Sequence, residues 1–287
     1  MPELPEVETI RKDLQEVLRG QKISAVHVRK KKMIKSNLRT FGGSLRNRRI
    51  KSVRRRGKLL IFSFDEVDQC LLVHLKMTGQ LIYVDKKKVV AGGHGFPLLN
   101  ELPNKYSHVV MSFVGGARLF FNDMRQFGYM KIVSADELKE ILVGYGVEPL
   151  TNDFTKEVLG QVLQGRKTAL KNVLLDQKAI AGLGNIYVDE ACFAAGIRPM
   201  RKADKLSKGE AKKLEQAVKR ILRSAIKHRG TTFGDYRDGL GGEGNFVKRL
   251  KVYGRAGMKC KRCRQGLIKK IKVGGRGTSY CPICQIT

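Results

Sequence analysis

The sequence lacks two features that would direct it to a membrane. No stretch approaches the ~20 consecutive apolar residues that a membrane-spanning helix requires. The start is acidic, with Glu3 and Glu6, and it has no apolar segment of the kind that a secretory signal carries. These absences exclude a membrane-spanning protein and argue against a secreted one. We therefore expect a cytoplasmic protein that makes no membrane contact.

Acidic residues are also scarce. The 287 residues contain 26 Asp and Glu against 57 Lys and Arg, which gives a formal net charge of +31 at pH 7. So much charge of one sign repels itself unless a polyanion neutralises it, and nucleic acid is the first candidate. A membrane surface is the weaker alternative. The length allows two domains, and we expect a monomer.

Cysteine is infrequent, and its spacing is informative. The chain has six cysteines, which in the cytoplasm indicate a metal site or buried thiols rather than disulfides. Two Cys-x-x-Cys pairs, separated by seventeen residues, have the spacing of a structural zinc site: Cys260, Cys263, Cys281 and Cys284. Four thiolates complete the tetrahedron of one Zn²⁺ and leave no open position for catalysis. A redox dithiol pair is the alternative. Cys70 and Cys192 lie in apolar runs, which predicts buried thiols.

The first half of the chain predicts one helix followed by many strands. Apolar residues recur at helical spacing over residues 3–18. Short β-rich runs follow at 23–28, 59–64, 71–75, 80–84, 108–113, 118–121 and 129–133, and segments rich in Gly and Asn, such as residues 41–43, are expected to separate them. Strands without intervening helices indicate an antiparallel sandwich or barrel. Residues 46–58 carry eight Lys and Arg and no acid, and we interpret them as a loop that faces phosphate rather than an ordinary solvated loop.

The second half is helical until its last thirty residues. Capping boxes at 134–137 and 207–210 begin two helices, and further helices are expected at 155–163, 168–175 and 186–195. Residues 231–245 are glycine-rich and predict a mobile loop. A β-hairpin is expected between the cysteine pairs. We divide the chain into residues 1–133, a linker at 134–150, a helical domain at 151–256 and the finger at 257–287.

The first six residues offer an unusual nucleophile. Initiator methionine is usually removed before a small residue, which would leave Pro2 at the mature N-terminus. A chain-terminal amine has a pKa of ~8, about two units below that of lysine, so a useful fraction is unprotonated at neutral pH. Attack of this secondary amine on a carbonyl-like carbon gives an iminium. Glu3 and Glu6 supply carboxylates for proton transfer or for holding the site; the alternative is an ordinary helix N-terminus.

Four separated segments resemble one family, in that family's order. They are residues 2–9 (Pro-Glu-Leu-Pro-Glu-Val-Glu-Thr), 56–58 (Arg-Gly-Lys), 182–187 (Gly-Leu-Gly-Asn-Ile-Tyr) and the four-cysteine finger. Together they are similar to the bacterial formamidopyrimidine-DNA glycosylases (the Fpg/MutM family) over nearly the whole chain. The related endonuclease VIII typically begins Pro-Glu-Gly-Pro-Glu, so Leu4 favours the formamidopyrimidine branch.

The resemblance implies a fold and a reaction. The fold is α+β: an N-terminal antiparallel β-sandwich with an N-terminal helix, a helix-two-turn-helix domain and a zinc-finger β-hairpin. The reaction is that of a bifunctional DNA glycosylase and AP lyase of base excision repair, which removes 8-oxoguanine and formamidopyrimidines from damaged double-stranded DNA. Pro2 would form a Schiff base with the deoxyribose, Glu3 would protonate the sugar ring oxygen, and Glu6 would orient the pocket. Lys58 and Arg276 would serve β- and δ-elimination.

The resemblance also names residues that would replace the flipped base. Met77, Arg125 and Phe127 would fill the hole that the base leaves in the duplex; the alternative is that Met77 and Phe127 are core residues at strand ends. Residues 123–128 read Asp-Met-Arg-Gln-Phe-Gly, whereas the family commonly has Asp-Pro-Arg-Arg-Phe-Gly. This departure leaves loop rigidity and opposite-base preference open. Residues 231–245 would close over the flipped base.

Phosphate contacts are implied at four further positions. Asn185 and Arg276 would hold the phosphates that flank the lesion, and Arg166 stands where the family has a DNA-contacting Lys or Arg. Tyr106 stands where many members have a DNA-contacting histidine, and its hydroxyl can still donate to phosphate.

Three other functions compete with this interpretation. An endonuclease VIII-like enzyme would act on oxidised pyrimidines. A non-catalytic DNA-binding relative would keep the charge and the finger but would have a degraded N-terminus, which this chain does not have. A zinc-ribbon RNA- or ribosome-binding protein explains the charge equally well, but it gives no reason for the proline and acids at the start.

Overall fold

The computed structural model describes residues 1–94, 101–231, 236–237 and 244–286. It divides into two compact units, Met1–Val143 with His228–Asn245, and Gly144–Lys227 with Phe246–Thr287. The sequence assigns the glycine-rich segment 231–245 to the helical domain, whereas the residues described within it belong to the first unit. Most of that segment lies outside the described residues. The four-part division of the chain stays a prediction.

The first unit contains three α-helices and ten strands among its described residues. The helices are α1 (Leu4–Leu18), α2 (Leu38–Leu45) and α3 (Ala135–Val143). The strands are β1 (Ile23–Val28), β2 (Ile50–Arg56), β3 (Leu59–Phe64), β4 (Gln69–His74), β5 (Gly79–Val84), β6 (Val89–His94), β7 (Ser107–Phe113), β8 (Arg118–Asp123), β9 (Tyr129–Ser134) and β10 (Tyr236–Arg237).

These strands form two antiparallel sheets around one core. The six-stranded sheet has the order β1-β7-β8-β5-β6-β10, and the four-stranded sheet has the order β2-β3-β4-β9. The core draws Ile10 and Leu14 from α1, Phe62 from the four-stranded sheet, and Leu81 and Phe121 from the six-stranded sheet. The predicted sandwich with an N-terminal helix is therefore confirmed, because one apolar core joins both sheets to α1.

Two local predictions are wrong. Residues 46–58 were expected to form a loop, but β2 occupies Ile50–Arg56. Ile50 and Val53 are buried on this strand, whereas Lys51 and Arg54–Arg56 are exposed or half-buried, and that charge obscures the strand pattern. Residues 41–43 were expected to separate strands, yet they lie inside α2. Its helical structure is supported by the cap at Asn37, whose side chain accepts the backbone N–H of Arg39 at 3.0 Å.

The second unit is helical and ends in a hairpin. Its elements are α4 (Lys156–Leu163), α5 (Leu170–Leu175), α6 (Asn185–Ala195), α7 (Lys208–Lys227), β11 (Lys269–Val273) and β12 (Arg276–Tyr280). The predicted capping box of α7 is present, because Ser207 and Glu210 exchange backbone-to-side-chain hydrogen bonds at 2.8 and 3.2 Å. Across the described residues, we find no helix whose length and apolar content would allow it to cross a membrane.

Candidate active site

Helix α1 begins two residues after Pro2, the residue proposed as nucleophile. Glu3 precedes the helix, and Glu3 and Glu6 form a capping box in which the backbone N–H of Glu3 donates to Glu6 Oε2 at 2.8 Å. Pro2 is buried, whereas Met1 is 50% exposed. The carboxylates of Glu3 and Glu6 belong to residues that are only 4% and 2% exposed. In the chain, Pro2 therefore stands between the exposed Met1 and the buried acids Glu3 and Glu6.

The carboxylate of Glu6 connects the helix start to a distant part of the chain. Its Oε2 accepts the N–H of Glu3, and its Oε1 accepts the N–H of Thr231 at 2.8 Å. Gly230, with φ of +83°, lies so close that a Cβ there would be 2.8 Å from Glu6 Oε1. Because both oxygens accept backbone N–H groups, the geometry fits a carboxylate that orients the site better than one that exchanges protons.

Lys58 lies in the turn between β2 and β3 and is 6% exposed. Gly57 occupies this turn with φ of +56°, a conformation that favours glycine. Arg55 links the turn to α1, because its guanidinium lies 2.9 Å from Glu8 and donates to the carbonyl of Gly57 at 3.2 Å. The ion pair brings the first turns of α1 to the strand end that precedes Lys58.

His74 is a neighbour of Lys58 that the sequence did not single out. Burial, followed by the charges of Lys76 and Lys58, lowers the pKa of His74 to about 3. Its Nδ1 accepts the backbone N–H of Lys76 at 3.0 Å, which requires an unprotonated nitrogen. The ring is therefore neutral at physiological pH. Nothing in the sequence around a single histidine at the end of a strand predicts that its ring is buried and neutral.

The residues expected to fill the gap left by a flipped base lie on two loops of the first unit. Met77 follows β4 and is 38% exposed, and Phe127 follows β8 and is 54% exposed. Neither is a core residue, so the alternative assignment for these two side chains is wrong. The guanidinium of Arg125 lies 4.8 Å from the centroid of the Phe127 ring. The three side chains form an exposed group of apolar and cationic surface.

Thr78 and Asp123 connect these two loops. The Thr78 hydroxyl donates to Asp123 Oδ1 and accepts the N–H of Arg125 at 2.9 Å. Asp123 Oδ2 accepts the N–H of Gly128 at 2.6 Å, and His108 bonds the Asp123 carbonyl through Nε2 at 2.7 Å. Thr78, His108 and Asp123 are at most 5% exposed. This buried framework was not predicted, although Thr78 and Asp123 are short polar residues that stand close in sequence to Met77 and Arg125.

Tyr106 and Arg166 are the least constrained of the predicted DNA contacts. Tyr106 is half-buried, and the ammonium group of Lys105 lies 5.2 Å from the centroid of its ring. The side chain of Arg166, in the second unit, is 50% exposed and lies 3.8 Å from Asp176. Both positions are accessible to a phosphate, and their roles stay predictions.

Asn185 and Arg276 are close together in the second unit. Asn185 is the first residue of α6, and its Nδ2 donates to the carbonyl of Gly277 at 3.0 Å. Arg276 directly precedes Gly277 at the start of β12 and is exposed. The structure therefore brings together the two residues that the sequence assigned to the same phosphates.

The four predicted cysteines converge at the end of the hairpin. All four Sγ atoms lie within 4.8 Å of one another, and the Cys260–Cys284 and Cys263–Cys281 pairs are 3.7 and 3.8 Å apart. Tetrahedral Zn–S bonds of ~2.3 Å separate the sulfurs by about 3.8 Å. The cluster therefore fits one structural zinc with no open position. Cys70 and Cys192 are buried as predicted, and burial raises the pKa of the Cys192 thiol.

Comparison with known proteins covers the whole chain. Residues 1–130 match the formamidopyrimidine-DNA glycosylase N-terminal domain, residues 145–236 match the H2TH domain of that enzyme, and residues 257–286 match a zinc finger found in FPG and IleRS. The formamidopyrimidine-DNA glycosylase of Pelotomaculum thermopropionicum is 43% identical over 288 residues, which cover 99% of each chain. That of Desulfitobacterium hafniense is 39% identical over 289 residues, which cover 100% of each chain.

The chain belongs to the formamidopyrimidine-DNA glycosylase family. Its fold is similar to that of Lactococcus lactis Fpg (MutM) bound to N7-benzyl-Fapy-dG DNA, with a TM-score of 0.88, 34% identity and complete coverage of both chains. The same Lactococcus enzyme bound to DNA with an oxidised pyrimidine gives a TM-score of 0.87 at 34% identity, again over both whole chains.

Family membership settles the class of reaction. The chain is a DNA glycosylase of base excision repair that acts on oxidised purines, and it binds damaged DNA. The predicted family, fold class and structural zinc are confirmed. The roles of individual residues remain predictions.

Proposed function

We propose that this glycosylase is also an AP lyase, and that it works through a Schiff base at Pro2 after Met1 is removed. The observation that carries the proposal is the start of α1, where Pro2 is buried beside two acids that are 4% and 2% exposed. A terminal secondary amine is substantially unprotonated near neutral pH, and a neighbouring buried carboxyl can hold or transfer a proton. Both requirements of imine chemistry are present in one helical turn.

Base release follows from the positions of Pro2 and Glu3. The Pro2 nitrogen forms a bond to C1′ of the damaged nucleotide, and the N-glycosidic bond breaks as the base leaves with its electron pair. The proton that the nitrogen loses neutralises the departing base, which restores the lone pair of the nitrogen. Glu3 then gives a proton to the sugar ring oxygen, so the C1′–O bond opens and the nitrogen lone pair completes the iminium. Glu6, whose oxygens accept two backbone N–H groups, holds the helix start in place during these steps.

Strand cleavage uses the acidity that the iminium confers on the sugar. Loss of a C2′ proton expels the 3′ phosphate in β-elimination, and loss of a second sugar proton expels the 5′ phosphate in δ-elimination. Lys58, buried at the β2–β3 turn, is assigned to the first elimination, and Arg276 to the second. A cation beside each leaving phosphate lowers the energy of the developing charge.

DNA handling is assigned to exposed side chains. Flipping a base out of the duplex costs a few kcal/mol, on the order of the stacking and pairing lost. Met77, Arg125 and Phe127 replace the missing base, and the Arg125 guanidinium over the Phe127 ring supplies a cationic and aromatic surface for that purpose. Asn185 and Arg276 hold the flanking phosphates, and Tyr106 and Arg166 extend this contact along the backbone.

The cellular setting is part of the same proposal. One chain supplies all the residues assigned above, so we expect a monomer that acts on damaged duplex DNA without a membrane. A bacterial cytoplasm or nucleoid provides that substrate, and the net charge of +31 suits a polyanionic partner. Light scattering of the purified protein should give the mass of one chain.

Oxidised pyrimidines are a second candidate substrate class. The related Lactococcus enzyme has been captured with DNA that contains an oxidised pyrimidine. Because that enzyme is 34% identical to this chain, we include oxidised pyrimidines among the proposed substrates. Oxidised purines remain the principal substrates.

Borohydride trapping tests the proposal directly. A duplex with one 8-oxoguanine opposite cytosine is mixed with the protein, the imine is reduced, and a denaturation-resistant adduct is sought. Pro2→Gly is the matched variant, and intact-protein mass spectrometry establishes that Met1 is absent. We expect a strong adduct with the native chain and its loss or severe reduction in the variant.

Other substrates separate the remaining outcomes. An adduct on an abasic duplex but none on 8-oxoguanine would retain the lyase and move the specificity towards pyrimidines, which a thymine-glycol duplex would reveal. An undiminished adduct in Pro2→Gly would contradict the need for the secondary amine of proline, since either the primary amine of the substituted residue 2 or another nucleophile of the chain would then suffice. DNA binding without any adduct would contradict lyase chemistry altogether.

A further inference from the structure

A cationic surface lies in the second unit, away from the residues that are assigned to lesion binding. It is a groove of about 640 Å³ between α6, α7 and the first cysteine pair. Six cations line it: Arg220, Lys248, Arg249, Lys251, Lys261 and Arg262. All six residues are exposed. We call this surface the cationic groove.

The cationic groove contains one buried carboxylate and, among its six described cations, no ion pair. Over the described part of the chain, none of its six cations forms an ion pair with a carboxylate. Glu190 is the one acidic residue in its lining, and its oxygens accept the backbone N–H groups of Lys251, Val252 and Tyr253 at 2.8–3.0 Å. This carboxylate is buried and occupied by the backbone. The groove therefore offers six positive charges to a ligand from outside.

The floor of the groove is apolar and ordered. The guanidinium of Arg262 lies 4.1 Å from the centroid of the Phe193 ring and donates to the carbonyl of Ala194 at 3.4 Å. Ala194 and Ile221 are half-buried, and Phe246, which lies beneath, packs against Tyr187. A side chain fixed by stacking loses less entropy when it binds a ligand. The groove thus combines a charged rim with a small apolar floor.

Its location separates it from the proposed phosphate contacts. Asn185 begins α6, and Phe193 lies eight residues later, which corresponds to a rise of about 12 Å. Arg276 begins β12 beside the hairpin turn, whereas Lys261 and Arg262 lie between the cysteines at the opposite end of the finger. The contacts assigned to lesion DNA therefore leave the cationic groove unused.

We propose that the cationic groove is a docking site for a partner protein, and that it binds an acidic peptide segment carrying an apolar side chain. Carboxylates of the peptide would pair with the rim, since clusters of Arg commonly recognise acidic motifs. A leucine or phenylalanine of the peptide would occupy the floor beside Ala194 and Ile221. Duplex DNA matches the charge, but it presents phosphates on a convex surface and has no apolar side chain to insert. The concave shape and the apolar floor favour the peptide.

Fluorescence anisotropy with a defined probe tests this proposal. The probe is a labelled peptide in which a run of aspartates is followed by leucine and phenylalanine, titrated with the native protein at physiological ionic strength. The test variant combines Lys248→Glu with Arg249→Glu. The control combines Lys212→Glu with Lys213→Glu, two exposed positions on α7 with the same change of net charge. Thermal unfolding of both variants verifies that they are folded.

We expect the test variant to weaken peptide binding about tenfold or more, and the control to change it by about twofold at most. Replacing leucine and phenylalanine of the peptide with serine should also weaken binding. Absence of binding by the native protein would overturn the proposal. So would equal binding of the serine peptide together with displacement by undamaged duplex, since that result would make the groove a nucleic-acid surface.

Discussion

The buried ammonium group of Lys171 lies 2.6 Å from the carboxylate of Asp189, and both side chains are 0% exposed. Lys171 also donates to the carbonyl of Gly277 at 2.9 Å, and Asp189 accepts the N–H of Ser279 at 2.7 Å. The pair therefore attaches β12, which begins with Arg276, to α5 and α6. Burial raises the pKa of Asp189 to about 6, against the opposing effect of the Lys171 charge.

Breaking this pair should be costly. Lys171→Met leaves the carboxylate of Asp189 buried without its cation, a change that typically lowers the free energy of unfolding by ~3–5 kcal/mol. Lys139→Met is the control, because Lys139 and Asp136 form a surface pair with side chains 76% and 87% exposed, and such pairs contribute about 0–1 kcal/mol. Urea denaturation measures both. Equal losses in the two variants would contradict the importance assigned to the buried pair.

Removing the Thr78 hydroxyl should loosen the two loops that carry Met77, Arg125 and Phe127. Thr78→Val takes away a donor to Asp123 and an acceptor for the N–H of Arg125, and unsatisfied buried groups cost about 1–3 kcal/mol. We expect single-turnover excision of 8-oxoguanine to slow by about tenfold, because a misplacement of about 1 Å can have large effects on rate. Thr40→Val, at an exposed helical position, is the control. Excision at the native rate by the Thr78 variant would show that the loops keep their geometry without this hydroxyl.

Local patterns in the sequence predicted the features that depend on neighbours in the chain. The cysteine spacing identified a cluster whose sulfurs lie within 4.8 Å, and the apolar spacing over residues 3–18 predicted the helix that begins beside Pro2. Helix α2 was missed because its two glycines have low helical propensity, and only packing of Phe41 and Leu45 into the core reveals it.

Contacts between distant segments could not be predicted in this way. The hydrogen bond from Thr231 to Glu6 joins residues 225 positions apart, and the hydroxyl of Thr78 meets Asp123 across 45 positions. Nothing in the periodicity of either segment specifies its partner. The resemblance supplied the reacting residues and the orienting role of Glu6, whereas only the fold shows the backbone groups that hold Glu6 and the bonds that Asp123 makes.

Zinc removal should unfold the finger. We expect one zinc per chain, and Cys263→Ser should lose it because a structural site needs all four ligands to complete its tetrahedron. Cys70→Ser should keep it, since Cys70 lies in β4 and takes no part in the cluster. Elemental analysis measures the metal, and DNA titration measures the expected loss of affinity in Cys263→Ser. Native zinc content in that variant would contradict the four-cysteine assignment.

Acid should destabilise the protein partly through His74. Its pKa in the folded chain is about 3, below the ordinary value of 6.5. Between pH 6.5 and pH 3 the imidazole of His74 is protonated in the unfolded chain but not in the folded chain. The free energy of unfolding therefore falls as the pH falls from about 6.5 towards 3. His74→Gln should remove about 1–2 kcal/mol of the loss between pH 7 and pH 5. Denaturation at both pH values, with His27→Gln as control, tests this; identical pH profiles for the native chain and His74→Gln would contradict it.

Disturbing the contact between Glu6 and residues 230–231 should lower activity. In Gly230→Ala the new Cβ would lie 2.8 Å from Glu6 Oε1, at a backbone φ of +83° that side chains rarely adopt. Gly20→Ala is a close control, because Gly20 has φ of +80° but no atom within 4 Å of its Cβ position. Both variants should lose about 1–2 kcal/mol of stability from the left-handed conformation. Only Gly230→Ala should displace the Glu6 carboxylate, and we expect it to reduce borohydride trapping and single-turnover excision about tenfold or more. If the two variants lose equal activity, backbone strain explains both, and Glu6 does not orient the start of α1.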